Sequence, residues 1–195
     1  MNILTCAFTG HRPHGLKYRF NEEHEDCIAL KLILKEQIQM LYKQYSVTRY
    51  MTGGAMGVDI WAAEIVMDMA KSYPDISLAC ALPYKNQTEK WTRGKSKDYI
   101  PRYKHIIDNC NDVFILQEEY TKKVYDVRNR YMVDNSAAVI AVCNYKPSGT
   151  LNTIRYAQRE NVPYIAINPD DLSIKSTLNQ ESFTSRRITL YKEIQ

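Results

Sequence analysis

The chain has 195 residues, 45% hydrophobic and 25% charged, with a formal net charge of +4. That size fits one large domain, which buries roughly 70% of its unfolded surface and holds together without disulfides or a structural metal. No apolar run approaches the ~20 residues of a membrane-spanning helix, and no basic leader precedes the first apolar segment, so a cytoplasmic location is expected.

The expected elements alternate between strand and helix. Leu4 to Thr9 is a short apolar run stopped by Gly10, expected as a buried first strand. Asn21 to Tyr45 reads as a long helix, with Cys27, Leu30, Leu34, Ile38, Leu41 and Tyr45 on one face. Asn21 is its expected N-cap, and Glu22, Glu23, Glu25 and Asp26 suit the positive end of the dipole. Arg49 to Thr52 is a second strand, ending in Gly53-Gly54, and Val58 to Lys71 a second helix. Ile76 to Leu82 is a third strand, stopped by Pro83. Two short helical stretches are expected across 85–109, broken before Pro101. Asp112 to Leu116 and Ala137 to Cys143 are strands four and five, with a helix near Arg128 to Asn135 between them. A helix over Thr150 to Asn161 and a strand over Tyr164 to Asn168 complete the series.

Apolar strands alternating with amphipathic helices imply a mainly parallel sheet covered on both faces, a single three-layer α/β/α Rossmann-like domain over 1–168. Residues 169–195 form a polar extension in which Ile188 to Tyr191 is a candidate edge strand.

The five cysteines form no Cys-x-x-Cys pair, and Cys6, Cys80 and Cys143 lie in strand-like runs, where thiols pack as small core residues. The four histidines lack ligand spacing, so no metal is implied. Lys85 to Lys104 carries seven Lys/Arg against two acids, an excess of five that is larger than that of the whole chain. Tyr84, Trp91, Tyr99 and Tyr103 lie in or beside this segment. Cations interleaved with aromatics suit nucleic acid, although packing at the domain rim is the commoner use of such residues.

In an open parallel sheet, ligands bind beyond the carboxyl ends of the strands, and the unusual residues of this chain fall there. Thr9-Gly10-His11-Arg12 follows strand one, and Gly53-Gly54-Ala55-Met56-Gly57-Val58-Asp59 follows strand two. Leu82-Pro83-Tyr84 follows strand three, and Ser148-Gly149-Thr150 follows strand five. Glycines let the backbone approach a ligand closely, and the helix starting near Val58 directs its free N–H groups to the same place, which suits a phosphate. Asp59 fits either a helix cap or a ribose hydroxyl. Ser148 to Thr150 repeats the device, and Arg128-Asn129-Arg130 adds guanidinium groups suited to phosphate.

Together Thr-Gly-His-Arg-Pro at 9–13, Gly-Gly-Ala-x-Gly-x-Asp at 53–59, Leu-Pro-Tyr with Gln87 and Trp91, and Arg-Asn-Arg-Tyr-Met-Val-Asp at 128–134 resemble the YpsA (DUF1273) family. That family belongs to the SLOG superfamily, with the DNA-processing protein DprA and the LOG cytokinin-activating enzymes. The resemblance runs from about residue 4 to 168. It implies a nucleotide or nucleotide-derived ligand, ADP-ribose-like species included, with no required cofactor. The implied ligand-binding positions are Gly10, Arg12, Gly53, Gly54, Gly57, Asp59, Arg128, Ser148, Gly149 and Thr150. Thr9, His11, Ala55, Leu82, Pro83, Tyr84, Trp91 and Asn129 lie in or beside the same loops and join them as candidates. YpsA relatives resemble bacterial sensors or regulators, and relatives commonly pair, so a homodimer is an implied state.

The chain departs from LOG-type hydrolases after strand five. It has Pro147-Ser-Gly-Thr there, and the first acid that follows is Glu160, three helical turns on. A carboxylate for glycosidic chemistry would then have to come from elsewhere, such as Asp59 or Glu64. The leading expectation is therefore a binding protein without turnover. A nucleotide N-glycosidase or phosphoribohydrolase is the alternative, and a DprA-like binder of single-stranded DNA using residues 85–104 with Arg128 and Arg130 is the third reading.

Overall fold

The computed structural model describes residues 3–184. Its strands are β1 (Thr5–Gly10), β2 (Arg49–Thr52), β3 (Ser77–Leu82), β4 (Asp112–Ile115), β5 (Ala138–Val142), β6 (Tyr164–Ile167) and β7 (Ile174–Ser176). They form one sheet in the order β4-β3-β2-β1-β5-β6-β7. All neighbours are parallel except β7, which runs antiparallel to β6. The helices are α1 (Glu25–Tyr45), α2 (Val58–Ala70), α3 (Tyr99–Asn109), α4 (Val124–Asp134) and α5 (Gly149–Arg159), with short 3-10 turns at Pro13–Gly15, Gln87–Lys90 and Gly94–Asp98.

The two faces of the sheet bury separate cores, as strand alternation requires. Cys6 and Phe8 of β1 point to the side covered by α1, α2 and α3, where Leu30, Leu34, Ile38, Ile60 and Trp61 are fully buried. Ala7 points the other way, to Val133, Val139, Ile154 and Ala157 beneath α4 and α5. Tyr50 is fully buried because its hydroxyl has a partner, donating to the Ile38 carbonyl at 2.9 Å. All five cysteines are free thiols, and only Cys110 is not fully buried.

Local details differ from the sequence expectation, each for a physical reason. α1 is capped by His24, whose ring nitrogen accepts from the Asp26 amide at 3.2 Å. Asn21 instead closes the preceding turn, accepting from the Glu23 amide. Pro101 does not interrupt a helix. It stands in the first turn of α3, where a missing N–H leaves no intrahelical bond unmade. α4 begins at Val124, a full turn before Arg128. The added edge strand within the described residues is β7, and Ile188 to Tyr191 lies outside them. No helix of the described residues is long and apolar enough to cross a membrane.

Candidate functional site at the topological switch point

From β1 the sheet grows toward β2, β3 and β4 on one side and β5, β6 and β7 on the other. The loops leaving β1 and β5 therefore turn apart, and a crevice opens between them at the carboxyl edge of the sheet. It is a cleft of about 390 Å³. Thr9, Gly10, His11 and Arg12 line it from β1, Ala55 and Asp59 from the start of α2, Arg128 and Asn129 from α4, and Ser148, Gly149 and Thr150 from α5.

A buried ion pair forms one wall. Arg128 Nη1 lies 3.6 Å from Asp59 Oδ2, with side-chain exposures of 9% and 5%. The same nitrogen donates to the Gly53 carbonyl at 2.7 Å, and Arg128 Nε donates to Asn129 Oδ1 at 2.8 Å. The Ala55 amide donates to Asp59 Oδ2 at 3.3 Å. Burial raises the Asp59 pKa, opposed by the nearby Arg128 and Arg12 charges. Burial likewise lowers that of Arg128, opposed by Asp59. The glycine loop packs onto this pair. A Cβ on Gly53 would stand 1.6 Å from Arg128 Nη1 and 2.8 Å from Asp59 Oδ2, so only glycine leaves room for the guanidinium. Behind the loop, Gln87 Nε2 donates to the Gly54 carbonyl at 3.2 Å, and Thr52 Oγ1 donates to the Asp59 carbonyl at 2.8 Å.

The opposite wall is open. Ser148 caps α5, its Oγ accepting from the Leu151 amide at 3.2 Å. The amides of Gly149 and Thr150 have no acceptor within the described chain. A Cβ placed on Gly149 would meet nothing within 4 Å. No described residue demands glycine at that point.

His11 is buried, its Nε2 3.0 Å from Asn144 Oδ1 and 3.2 Å from the Asn144 amide, so it ties the β1 loop to the β5 loop. Burial lowers its pKa, partly offset by Asn144. Arg12 is exposed, makes no ion pair among the described residues and lies with its guanidinium carbon 5.0 Å from the centre of the Tyr125 ring.

Several candidates lie elsewhere. Leu82, Pro83 and Tyr84 are buried behind the cleft, and Trp91 packs edge-on against Tyr103 at 5.5 Å. Tyr99 and Tyr103 are also buried, so the aromatics of the basic segment are core rather than a stacking surface. Gly54 and Gly57 take φ of +62° and +86° to shape the loop and do not line the cleft. Glu64 is drawn away from the cleft into a network in which Arg102 Nε and Nη2 each reach its carboxylate at 2.7 Å, while Nη1 reaches Glu22 at 2.6 Å. The lining residues that sequence reasoning missed are Gly15 and Tyr125. Tyr125 stands three and four residues before Arg128 and Asn129, the spacing of one helix face, but that signal is visible only if α4 starts a turn earlier.

A mainly parallel, doubly wound sheet with a cleft at its switch point defines a Rossmann-like α/β protein. Within that class the chain belongs to the YspA SLOG family (YpsA), whose family model matches residues 6–172. It is similar to the SPbeta prophage-derived protein YoqJ of Bacillus subtilis, at 30% identity over 144 residues, covering 68% of this chain and 82% of that protein. A UPF0398 protein of Brevibacillus brevis is 26% identical over 179 residues, covering 84% and 88%. Among solved structures it resembles DprA of Streptococcus pneumoniae, with a TM-score of 0.57 and 16% identity over 98% of this chain. It also resembles Helicobacter pylori DprA, a structure concerned with single-stranded DNA binding, with a TM-score of 0.54 and 19% identity over 84% of this chain. The chain spans only 56% and 64% of those two proteins, and at such identities the likeness is one of fold.

Proposed function

We propose that the protein binds a phosphate-bearing, nucleotide-derived ligand in the switch-point cleft and holds it without turnover, as a sensor or regulatory protein. The observation that carries this reading is the start of α5. There, among the described residues, a glycine that packing does not require stands beside two unspent amides at the positive end of a helix, with Arg12, which has no ion-pair partner among them, on the same cleft. Backbone donors, helix dipole and an unpaired guanidinium together suit a phosphate.

The engaged state of the acids supports binding over hydrolysis. Glycosidic cleavage needs a carboxylate facing the anomeric carbon. Asp59 lines the cleft but is held by Arg128 and the Ala55 amide, and Glu64 is held by Arg102.

The test is a thermal-shift screen of wild type and Gly149→Ala against AMP, NAD, ADP-ribose and short single-stranded DNA, each well then analysed by chromatography. A ligand at 100 times its dissociation constant adds about 2.7 kcal/mol of stability. A shift with an intact nucleotide is expected, cut to about half or less in Gly149→Ala. Free base in the wild-type well would make the protein a hydrolase. A shift with DNA alone, falling steeply with salt, would replace the small molecule with a nucleic acid.

A further inference from the structure

On the α4 side the cleft is lined by Tyr125, which packs in a cluster of three tyrosines. Tyr84 follows β3, Tyr120 follows β4 and Tyr125 lies in the first turn of α4. Their ring centres are 5.6 Å apart for Tyr84 and Tyr120, 6.5 Å for Tyr84 and Tyr125, and 6.4 Å for Tyr120 and Tyr125. The planes meet at 63–74°, the edge-to-face arrangement that aromatic quadrupoles favour. Tyr84 is buried and buttresses the other two, while Tyr125 is half-buried and lines the cleft. The Tyr125 ring is thus held in place from behind.

A cation covers each of the outer rings. Lys90 Nζ lies 3.4 Å from the centre of Tyr120, and the Arg12 guanidinium carbon 5.0 Å from that of Tyr125. The two coverings differ in kind. A guanidinium is planar and stacks on an aromatic face as a nucleobase does. Among the described residues Arg12 has no carboxylate partner to hold it there, and the unspent amides of Gly149 and Thr150 lie on the same cleft. An arriving phosphate therefore offers Arg12 a charged partner in exchange for a neutral ring.

We propose that the exposed face of Tyr125 is a platform for the aromatic base of a nucleotide, occupied by Arg12 in the free protein and vacated when Arg12 turns to the phosphate. This deepens, and rests on, the phosphate-binding reading above. The ligand class is then a nucleoside phosphate rather than a bare sugar phosphate, with its phosphate at the start of α5 and its base against α4. Tyr125 sets specificity, and Arg12 couples recognition of the phosphate to exposure of the stacking face.

The experiment is calorimetric titration of wild type, Tyr125→Ala and Tyr125→Phe with AMP and with ribose 5-phosphate, at one ionic strength. Stacking on an aromatic side chain corresponds to roughly tenfold in affinity. The expected result is that AMP binds wild type about tenfold more tightly than ribose 5-phosphate does. The advantage disappears in Tyr125→Ala and persists in Tyr125→Phe, which keeps the ring and lacks the hydroxyl. Ribose 5-phosphate should bind Tyr125→Ala at least as tightly as wild type, since Arg12 no longer has a ring to leave, which also shows that the variant retains the cleft. Equal affinities for the two probes in wild type, or an AMP advantage that survives in Tyr125→Ala, overturn the platform and leave the phosphate site standing. Loss of ribose 5-phosphate binding in Tyr125→Ala assigns the ring a structural role and overturns the platform too. Failure of both probes to bind wild type overturns the phosphate reading and, with it, this one.

Discussion

The glycine-bearing loops after β2 and β5 have similar compositions and opposite contents. Both stand at the carboxyl edge of the sheet, and both open a helix. In the first, the space that glycine provides is taken by the protein itself: Arg128 fills the place of the missing Gly53 side chain, and Asp59 accepts from the Ala55 amide. In the second, no described residue fills the space beside Gly149, and two amides lack acceptors among the described residues. A glycine-rich turn before a helix thus marks a close approach without saying what approaches. One loop accommodates an internal guanidinium and builds the wall of the cleft. The other is filled by no described residue of the chain.

The same substitution in both loops tests this most sharply, and the larger effect belongs to the first. Gly53→Ala must displace Arg128 from its carbonyl and carboxylate partners. Breaking a buried ion pair costs about 3–5 kcal/mol, and in a domain of this size the melting temperature should fall on the order of 10 °C. Arg128→Ala should cost a similar amount, because it leaves Asp59 buried without its partner. The two losses should not add: once the guanidinium is gone, the methyl group of Gly53→Ala has room. Additive losses in the double variant, measured by calorimetry, would show that Gly53 serves something other than Arg128.

Acid should separate the first loop from the rest of the fold. Burial raises the folded pKa of Asp59 above its ordinary value of 3.8, so folding favours its protonated form. The contribution of Asp59 to stability is thus present below that ordinary value and is lost as pH rises through the folded value. Glu22 has the opposite sign. Burial alone would raise its pKa, but hydrogen bonds from Arg102, Lys31 and Tyr99 outweigh it and bring the carboxyl down to about 2. Its contribution is present above the ordinary 4.5 and disappears as pH falls toward about 2. The stability difference between wild type and Glu22→Gln should therefore be full at neutral pH and vanish near pH 2. The Ala55 amide resonance should move at higher pH than this loss, while that of Leu151, bonded to a serine hydroxyl, should stay still. Simultaneous titration of both amides would break the distinction between the loops.

What the sequence showed, and what it hid, follows the same division. The first six strands were legible because each is an apolar run ended by glycine, proline or a polar turn. β7 was not, since Ile174, Lys175 and Ser176 are all exposed and bury nothing that would mark a pattern. The cleft was legible as a set of loops at one sheet edge, and most of its lining came from them. Its internal division was not. That Gly53 serves Arg128, and that Glu64 is committed to Arg102, are contacts between residues 75 and 38 positions apart, which no local spacing records. Tyr125 stayed hidden because Val124 to Val127 carries two charge-free apolar ends around a tyrosine and an aspartate, and shows no helical stripe until α4 packs.

Gly149→Ala is the counterpart of Gly53→Ala. The added methyl meets no protein atom, and alanine is a better helix former than glycine, so stability should be unchanged or rise by up to about 1 kcal/mol. Ligand affinity should nonetheless fall by about tenfold or more, equivalent to about 1.4 kcal/mol, because the methyl occupies the place of closest approach to the amides. A stable variant with unimpaired binding would mean that the ligand does not use the start of α5.

The smallest expected change is at Ser148, which shares this loop and has a different task. Its Oγ accepts from the Leu151 amide, so Ser148→Ala removes a helix cap at a cost of about 1 kcal/mol and, by loosening the first turn of α5, weakens phosphate binding only a few-fold. Ser148→Asp separates capping from binding. An aspartate caps as well as serine and is favoured by the helix dipole, so stability should be kept. Its charge would stand against an incoming phosphate, and affinity should fall well below that of Ser148→Ala. If the aspartate variant binds the phosphate as tightly as wild type, the open loop does not receive an anion, and its contrast with the Arg128-filled loop loses its functional meaning.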